Sequence, residues 1–181
     1  MPKFDPKIHH RQSIRLKGYD YSQAGAYFVT VVAWQRESLF GGVVDGEMVL
    51  NEFGRIVQNE WERSAEIRNE VELGIYVVMP NHLHGIVILH NDTVVGATGR
   101  SPLPPRGPMP KSLGALMAGF KSSVTKQINI IRDASGIPVW QRNYYDRIIR
   151  DEREMDRIHR YIDSNPSQWA DDIENPANMK T

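Results

Sequence analysis

Residues 71–90, VELGIYVVMPNHLHGIVILH, contain the pattern that decides the expected fold. Two runs rich in β-branched and aromatic residues, 71–79 and 84–90, are typical of buried strands. Pro80 and Asn81 interrupt the pattern between them. A connection this short joins antiparallel neighbours, because parallel strands need a crossover of about a dozen residues or more. The stretch therefore predicts two adjacent antiparallel strands.

The residues before this stretch predict a strand, a hairpin and a helix. Residues 27–34, YFVTVVAW, have the composition of a buried strand. Asp45-Gly46 lies between two short apolar runs, as in a tight hairpin turn. Residues 52–69 place apolar side chains mostly at helical spacing, with Asn51 as the expected N-cap.

The residues after it predict a loop, two helices and a short strand. Residues 91–111 are rich in proline and glycine and predict a flexible loop or lid. Ser112 is the expected cap of a second long helix, and residues 139–150 are expected to be a short strand or irregular. Residues 152–165 predict a last helix, in which Asp151 and Glu154 have capping-box spacing. We expect the polar tail, 167–181, to be frayed.

This order of elements predicts one domain, residues 1–181, of the α+β class. We expect a two-layer, ferredoxin-like (split βαβ) antiparallel sheet with the helices on one face. The alternative is a doubly wound parallel sheet, which the hairpin and the Pro80-Asn81 connection disfavour.

Composition excludes several classes of protein. The chain has 181 residues, 40% of them hydrophobic, and no cysteine, which excludes disulfide scaffolds, zinc ribbons and thiol catalysis. No apolar run reaches the ~18 residues of a membrane span. The polar N-terminal stretch lacks the apolar core of a secretory signal, so we expect a cytoplasmic protein.

The net charge of zero conceals two basic segments. Residues 1–20 carry five Lys or Arg against two acids, and residues 111–160 carry ten against six. Phosphate binding depends on such local clusters rather than on the total charge. The alternative is that these are solvated surface charges.

His82 and His84 are the strongest chemical signal. Alternate side chains of a strand point to the same face, so both imidazoles share a face while Leu83 points into the core. Two neutral imidazoles on one face make half of a divalent-metal site. The alternative is a pair of surface histidines at the start of a strand.

The last helix offers a second pair of polar side chains. Tyr161 and Asn165 are four residues apart and so lie about 40° apart around the helix. They flank the stripe that we expect to be buried. His159 is a metal candidate of second rank. It lies two residues before Tyr161 and so faces roughly the opposite side of the helix, where we expect it to be exposed.

Four blocks occur in order between about residues 14 and 169: PNHLHGIVIL, FKSSVTKQIN, VWQRNYYDRIIRDE and RYIDSNP. Together they resemble the REP-associated tyrosine transposases, members of the single-tyrosine HUH endonuclease superfamily. The resemblance implies a ferredoxin-like fold, Tyr161 as catalytic nucleophile, and His82, His84 and Asn165 as ligands of Mg²⁺ or Mn²⁺. It also implies cleavage and rejoining of single-stranded DNA at hairpin sites through a 5′-phosphotyrosine.

Tyr144 and Tyr145 compete with Tyr161 for the role of nucleophile, but neither has a ligand-type residue at helical spacing. We expect Tyr145 and Trp140 to pack or to stack on bases. The candidate DNA-binding residues are Arg11, Arg15, Lys17, Lys121, Lys126, Trp140, Arg142, Tyr145, Arg147 and Arg150.

Three alternatives stay open at this point. The first is a transposase-type enzyme that cleaves and rejoins DNA. The second is a hairpin-binding protein that does not cleave, and the third is a replication-initiator or relaxase-type HUH nuclease. Single-stranded or hairpin DNA is the expected partner, a homodimer is left open, and nucleoid association follows from the DNA partner.

Overall fold

The computed structural model describes residues 20–90, 108–172 and 174–178. Arg11, Arg15, Lys17 and most of the 91–111 loop lie outside the described residues. In chain order the elements are β1 (Gly25–Val32), β2 (Gly41–Val44), β3 (Glu47–Leu50), α1 (Glu52–Glu66), β4 (Val71–Val78), β5 (His82–Leu89), α2 (Leu113–Ile131), β6 (Tyr145–Ile149) and α3 (Glu152–Ser164).

The main sheet has four strands in the order β4-β5-β1-β6. All of its pairings are antiparallel. This is the strand order of a ferredoxin-like fold, so the predicted fold class is confirmed and the doubly wound alternative is wrong. Strand β1 begins two residues earlier than expected and ends at Val32, because Trp34–Arg36 form a 3-10 turn in which Gln35 and Arg36 have positive φ.

The helices divide between the two faces of the sheet. Tyr27, Val29 and Val31 of β1 belong to the larger core, which also contains buried residues of α1 and α2. Phe28 belongs to a smaller core with Ile158 and Ile162 of α3. The expectation of helices on one face therefore holds for α1 and α2 but needs correcting for α3, which covers the opposite face. Helical periodicity defines an apolar stripe, but it does not say which face of a sheet the stripe covers.

Local signals fixed the turn and the helix starts as expected. Asp45 and Gly46 have φ of 51° and 80°, the positive values that a tight β2-β3 turn requires. The side chains of Asn51 and Asp151 accept hydrogen bonds from the amides of Gly54 (2.9 Å) and Glu154 (2.8 Å). Ser112 caps α2 in the same way, at 3.2 Å. Among the described residues, no helix is long and apolar enough to cross a membrane.

Gly85, between His84 and Ile86 on β5, lets the Trp61 ring of α1 approach the sheet. A Cβ at Gly85 would lie 2.7 Å from Trp61 Cζ2 and 3.2 Å from Tyr76 Cβ. We expect Gly85→Ala to lower the free energy of unfolding by about 1–3 kcal/mol, because the buried ring has to move. Urea denaturation measures the change. Gly42→Ala is the matched control, since its Cβ would meet nothing within 4 Å; equal losses in both variants would contradict the prediction.

Candidate active site

Strand β5 presents two histidines to the face that α3 covers. His82 and His84 are 0% and 3% exposed, and their ring centroids are 4.3 Å apart. Leu83, between them, is buried in the opposite core. The strand alternation predicted from the sequence therefore places both imidazoles on one face, but they are buried rather than on the surface.

The hydrogen bonds of Asn81 determine which nitrogen of His82 is protonated. Asn81 Nδ2 donates to the carbonyl oxygens of Arg36 (3.1 Å) and Glu174 (2.7 Å). Its Oδ1 is therefore the atom that lies 2.8 Å from His82 Nδ1, and it can only accept. A neutral His82 consequently carries its proton on Nδ1. Its Nε2 lone pair is buried and has no hydrogen-bond partner among the described residues.

His84 is held from both sides of its ring. Its Nδ1 lies 2.8 Å from Thr30 Oγ1, and its Nε2 lies 3.1 Å from Tyr161 Oη. The Phe28 ring stacks on the imidazole with a centroid distance of 5.3 Å. Tyr161, on α3, is 39% exposed, whereas the two histidines are buried.

Asn165 lies at the end of α3 and faces the same site. Its Nδ2 donates to Asp172 Oδ2 at 2.9 Å, and its Oδ1 is buried without a partner among the described residues. Asp172 is also buried and accepts from the Glu174 amide at 2.6 Å. A ligand atom from each of His82, His84 and Asp172 lies within 4.8 Å of the other two.

This donor set fits a divalent cation. Buried acceptors without partners are rare in proteins, because each lacks compensation for lost hydration. Here His82 Nε2 and Asn165 Oδ1 are two such acceptors, and they lie beside the Asp172 carboxylate. Imidazole nitrogen and amide or carboxylate oxygen together suit Mn²⁺ and related ions.

Asp172 is a residue that the sequence analysis missed, because the tail was expected to be frayed. That expectation is wrong for the described part of the tail. Two 3-10 turns form at Trp169–Asp171 and Pro176–Asn178, and Arg36 pairs with Glu174 at 3.0 Å. Trp169, a large aromatic residue in a mostly polar tail, was the available signal. The Trp169 ring lies 6.0 Å from that of His82.

Burial controls the protonation of the site. It lowers the pKa of His82 to about 4, against the opposing charge of Asp172, and lowers the pKa of His84 well below its usual value. Both imidazoles are thus neutral at neutral pH and can act as ligands. Burial, together with the charges of Asp172 and Glu174, raises the pKa of Tyr161 to about 12. A positive charge in the site would oppose that last effect.

We expect the two neutral histidines to make the metal-free protein acid-sensitive. Below pH ~6.5 the unfolded chain takes up protons on these histidines. The folded His82 does not until about pH 4. Stability should therefore fall as the pH falls, by about 1.4 kcal/mol per pH unit for each histidine. Urea denaturation in EDTA between pH 7 and pH 5 measures the slope.

The control for this pH dependence uses two variants. His82→Phe should remove its share of the slope, whereas His159→Gln should leave the slope unchanged, because His159 is exposed as expected. A slope that does not change in His82→Phe would contradict the prediction.

The competing tyrosines are distinguished by their faces. Tyr144 packs against the larger core, away from the histidines. Tyr145 is 38% exposed and pairs with Thr30 across β1 and β6, so it shares the face of His84. Its ring lies 6.4 Å from that of Phe28. Tyr161 is the tyrosine whose hydroxyl contacts a site histidine in the described part of the chain.

The other candidate DNA-binding residues differ in how accessible they are. Trp140 is 5% exposed and packs 5.0 Å from Phe40, so of its two expected roles, packing or stacking on bases, the structure shows packing. The Trp140 ring packs in the larger core, between α2 and the sheet. Lys121 Nζ donates to the carbonyl oxygens of Gln141 (2.6 Å) and Arg142 (3.1 Å). Arg147 pairs with Glu154. Lys126, Arg142 and Arg150 are exposed.

The fold and the site together define a ferredoxin-like α+β protein with a buried His-x-His centre facing a helix-borne tyrosine. The chain matches no protein-family model. It is 36% identical over 178 residues to an uncharacterized protein of Haemophilus influenzae, and the match covers 94% of this chain and 96% of the relative. The chain therefore belongs to the same family as the Haemophilus protein.

A solved structure, that of the REP-associated tyrosine transposase bound to a REP hairpin, has the same fold. The similarity has a TM-score of 0.57 at 18% identity and covers 86% of this chain and 74% of the other. This shared fold agrees with the resemblance to REP-associated tyrosine transposases in the sequence.

Proposed function

We propose that this protein is a transposase-like, metal-dependent endonuclease and strand transferase that acts on single-stranded DNA at hairpin sites. The observation that carries the proposal is the 3.1 Å contact between Tyr161 Oη and His84 Nε2. It places a partly exposed phenol beside a buried donor set in which His82 Nε2 and Asn165 Oδ1 lack hydrogen-bond partners among the described residues. A hydroxyl nucleophile next to a cation site is the arrangement that phosphoryl transfer requires.

His82, His84 and Asn165 are the proposed metal ligands. Asp172 is added to them because its carboxylate lies within 4.8 Å of the ligand atoms of both histidines. Mg²⁺ or Mn²⁺ held there would act as a Lewis acid that neutralises charge on the phosphoryl oxygens. Asp172 Oδ2 accepts a hydrogen bond from Asn165 Nδ2. The other end of the amide, Asn165 Oδ1, therefore points away from the Asp172 carboxylate. The carboxylate thus orients the amide ligand as well as adding negative charge.

In the proposed reaction, Tyr161 Oη attacks a DNA phosphorus in line with the bond to O3′. The bond from phosphorus to the tyrosine oxygen forms, the bond to O3′ breaks, and the phenolic proton ends on the released 3′-hydroxyl. The product is a 5′-phosphotyrosine. It retains the energy of the phosphodiester, so a DNA 3′-hydroxyl can attack it and rejoin strands without ATP.

The hairpin substrate is proposed by analogy with the solved neighbour of the same fold, which is bound to a REP hairpin. The exposed side chains Lys126, Arg142, Tyr145 and Arg150 are candidates to contact it. A groove of about 500 Å³ between α2 and residues 138–142 has Lys126 and Arg142 among its lining residues. Basic side chains along a groove suit a phosphate backbone. Arg11, Arg15 and Lys17 stay predictions.

The test is to incubate the protein with Mn²⁺ and a hairpin oligonucleotide labelled at its 3′ end. The proposal expects the label to migrate with the protein in denaturing gels, and EDTA to abolish the adduct. Hairpins from the DNA that flanks the gene are the substrates to use. Binding without an adduct on any of them would instead favour the non-cleaving hairpin-binding protein.

A further inference from the structure

We infer that Asn81, which directly precedes the His-x-His pair, is a positioning residue that sets the tautomer of His82 and docks the C-terminal segment onto the site. The inference deepens the proposed function and rests on it only where metal binding is concerned. Asn81 is fully buried, and its amide makes three hydrogen bonds to three separate parts of the chain.

The first role concerns the ligand nitrogen of His82. A neutral imidazole has one N–H and one lone pair. Because Asn81 Oδ1 accepts from Nδ1, the lone pair is on Nε2, which faces the site without a partner in the described chain. Without Asn81, the proton can move to Nε2 and donate to the neighbouring Asn165 Oδ1. That change would use up two of the proposed ligand atoms at once.

The second role concerns the segment that carries Asp172. Asn81 Nδ2 binds the Glu174 carbonyl oxygen at 2.7 Å, and the Glu174 amide donates to Asp172 Oδ1 at 2.6 Å. The same Nδ2 also donates to the backbone carbonyl oxygen of Arg36. The guanidinium of Arg36 in turn pairs with the Glu174 carboxylate at 3.0 Å. One amide therefore fastens the first turn after β1, the start of β5 and the C-terminal segment together.

Asparagine is suited to this position because it combines one acceptor with two N–H donors on a short stem. Aspartate keeps the acceptor for His82 but loses both donors. Alanine loses both functions. Two variants can therefore separate tautomer control from docking of the segment.

The experiment uses the full-length, ¹⁵N-labelled protein in EDTA at pH 7.5. Two-bond ¹H–¹⁵N spectra report whether Nδ1 or Nε2 of His82 carries the proton. Hydrogen exchange of the Glu174 amide reports docking of the segment. Calorimetric titration with Mn²⁺ alone, after removal of EDTA, reports ligand geometry. Asn143→Ala is the control, because Asn143 is an exposed asparagine.

We expect the wild type and Asn81→Asp to keep the proton on Nδ1, and Asn81→Ala to populate the Nε2–H form. Exchange of the Glu174 amide should accelerate in both variants. Mn²⁺ affinity should fall about 10–100-fold in Asn81→Ala, as for other groups that orient ligands. A wild-type tautomer in Asn81→Ala, or unchanged exchange in Asn81→Asp, would overturn the inference. A tautomer change in a protein whose wild type does not bind Mn²⁺ would support Asn81 and reject the metal site.

Discussion

Tyr161→Phe is expected to lower the rates of covalent adduct formation and strand cleavage by at least about 10³-fold. Its affinity for the hairpin should stay within about twofold of the wild-type value. The variant removes only the hydroxyl, whose oxygen is the proposed nucleophile. The ring stays in place, with its centroid 6.0 Å from that of Phe28. The adduct assay with a 3′-labelled hairpin measures cleavage, and a gel-shift titration measures binding.

Tyr145→Phe is the matched control for this prediction. Tyr145 is exposed to nearly the same extent as Tyr161, 38% against 39%, and lies on the same face of the sheet. The variant also loses one phenolic hydroxyl and keeps its ring for stacking, so it should still form the adduct. If Tyr145→Phe abolished the adduct and Tyr161→Phe did not, the assignment of the nucleophile would be wrong.

His82→Phe is expected to weaken Mn²⁺ binding by more than about 100-fold and to abolish cleavage at any Mn²⁺ concentration that the wild type needs. Phenylalanine fills the buried space next to Trp169 but offers no ligand atom. Loss of the Nε2 lone pair removes one of the two proposed ligand atoms, His82 Nε2 and Asn165 Oδ1, that are buried without a partner among the described residues. Calorimetry without DNA measures the affinity, and the adduct assay measures the consequence.

His159→Ala serves as the control for His82→Phe. It removes an imidazole from the exposed side of α3, so Mn²⁺ binding and cleavage should stay at wild-type levels. Urea denaturation of both variants shows whether the fold is kept. Mn²⁺ binding by folded His82→Phe with wild-type affinity would place the metal away from the proposed ligands.

Local patterns predicted the parts of the site that lie within single elements. The alternation of β5 placed His82 and His84 on one face, and the periodicity of α3 placed Tyr161 and Asn165 beside the buried stripe. The structure brings these four side chains to the same face of the sheet. Their roles as nucleophile and ligands stay predictions, which the experiments above are designed to test.

The groups that orient the site were beyond sequence reasoning. Thr30 contacts His84 from 54 positions away, and Asn81 contacts Glu174 from 93 positions away. Neither contact produces a periodic pattern in the sequence, because each joins a single residue of one segment to a single residue of another. Asp172 was missed for the same reason, since a polar tail with one tryptophan looks like solvated chain until its docking surface is known.

The sequence by itself determined the three helices and every strand except β6, which it left open, together with the antiparallel pairing of β4 and β5 and the face of β5 that carries the two imidazoles. These follow from backbone periodicity and turn chemistry, which act over a few residues. Only the tertiary structure decided that α3 covers the face opposite α1 and α2, that Trp140 belongs to the core, and that the C-terminal segment brings Asp172 to the histidines. Those outcomes depend on how the apolar surfaces of separate elements fit together, and no local pattern encodes that fit.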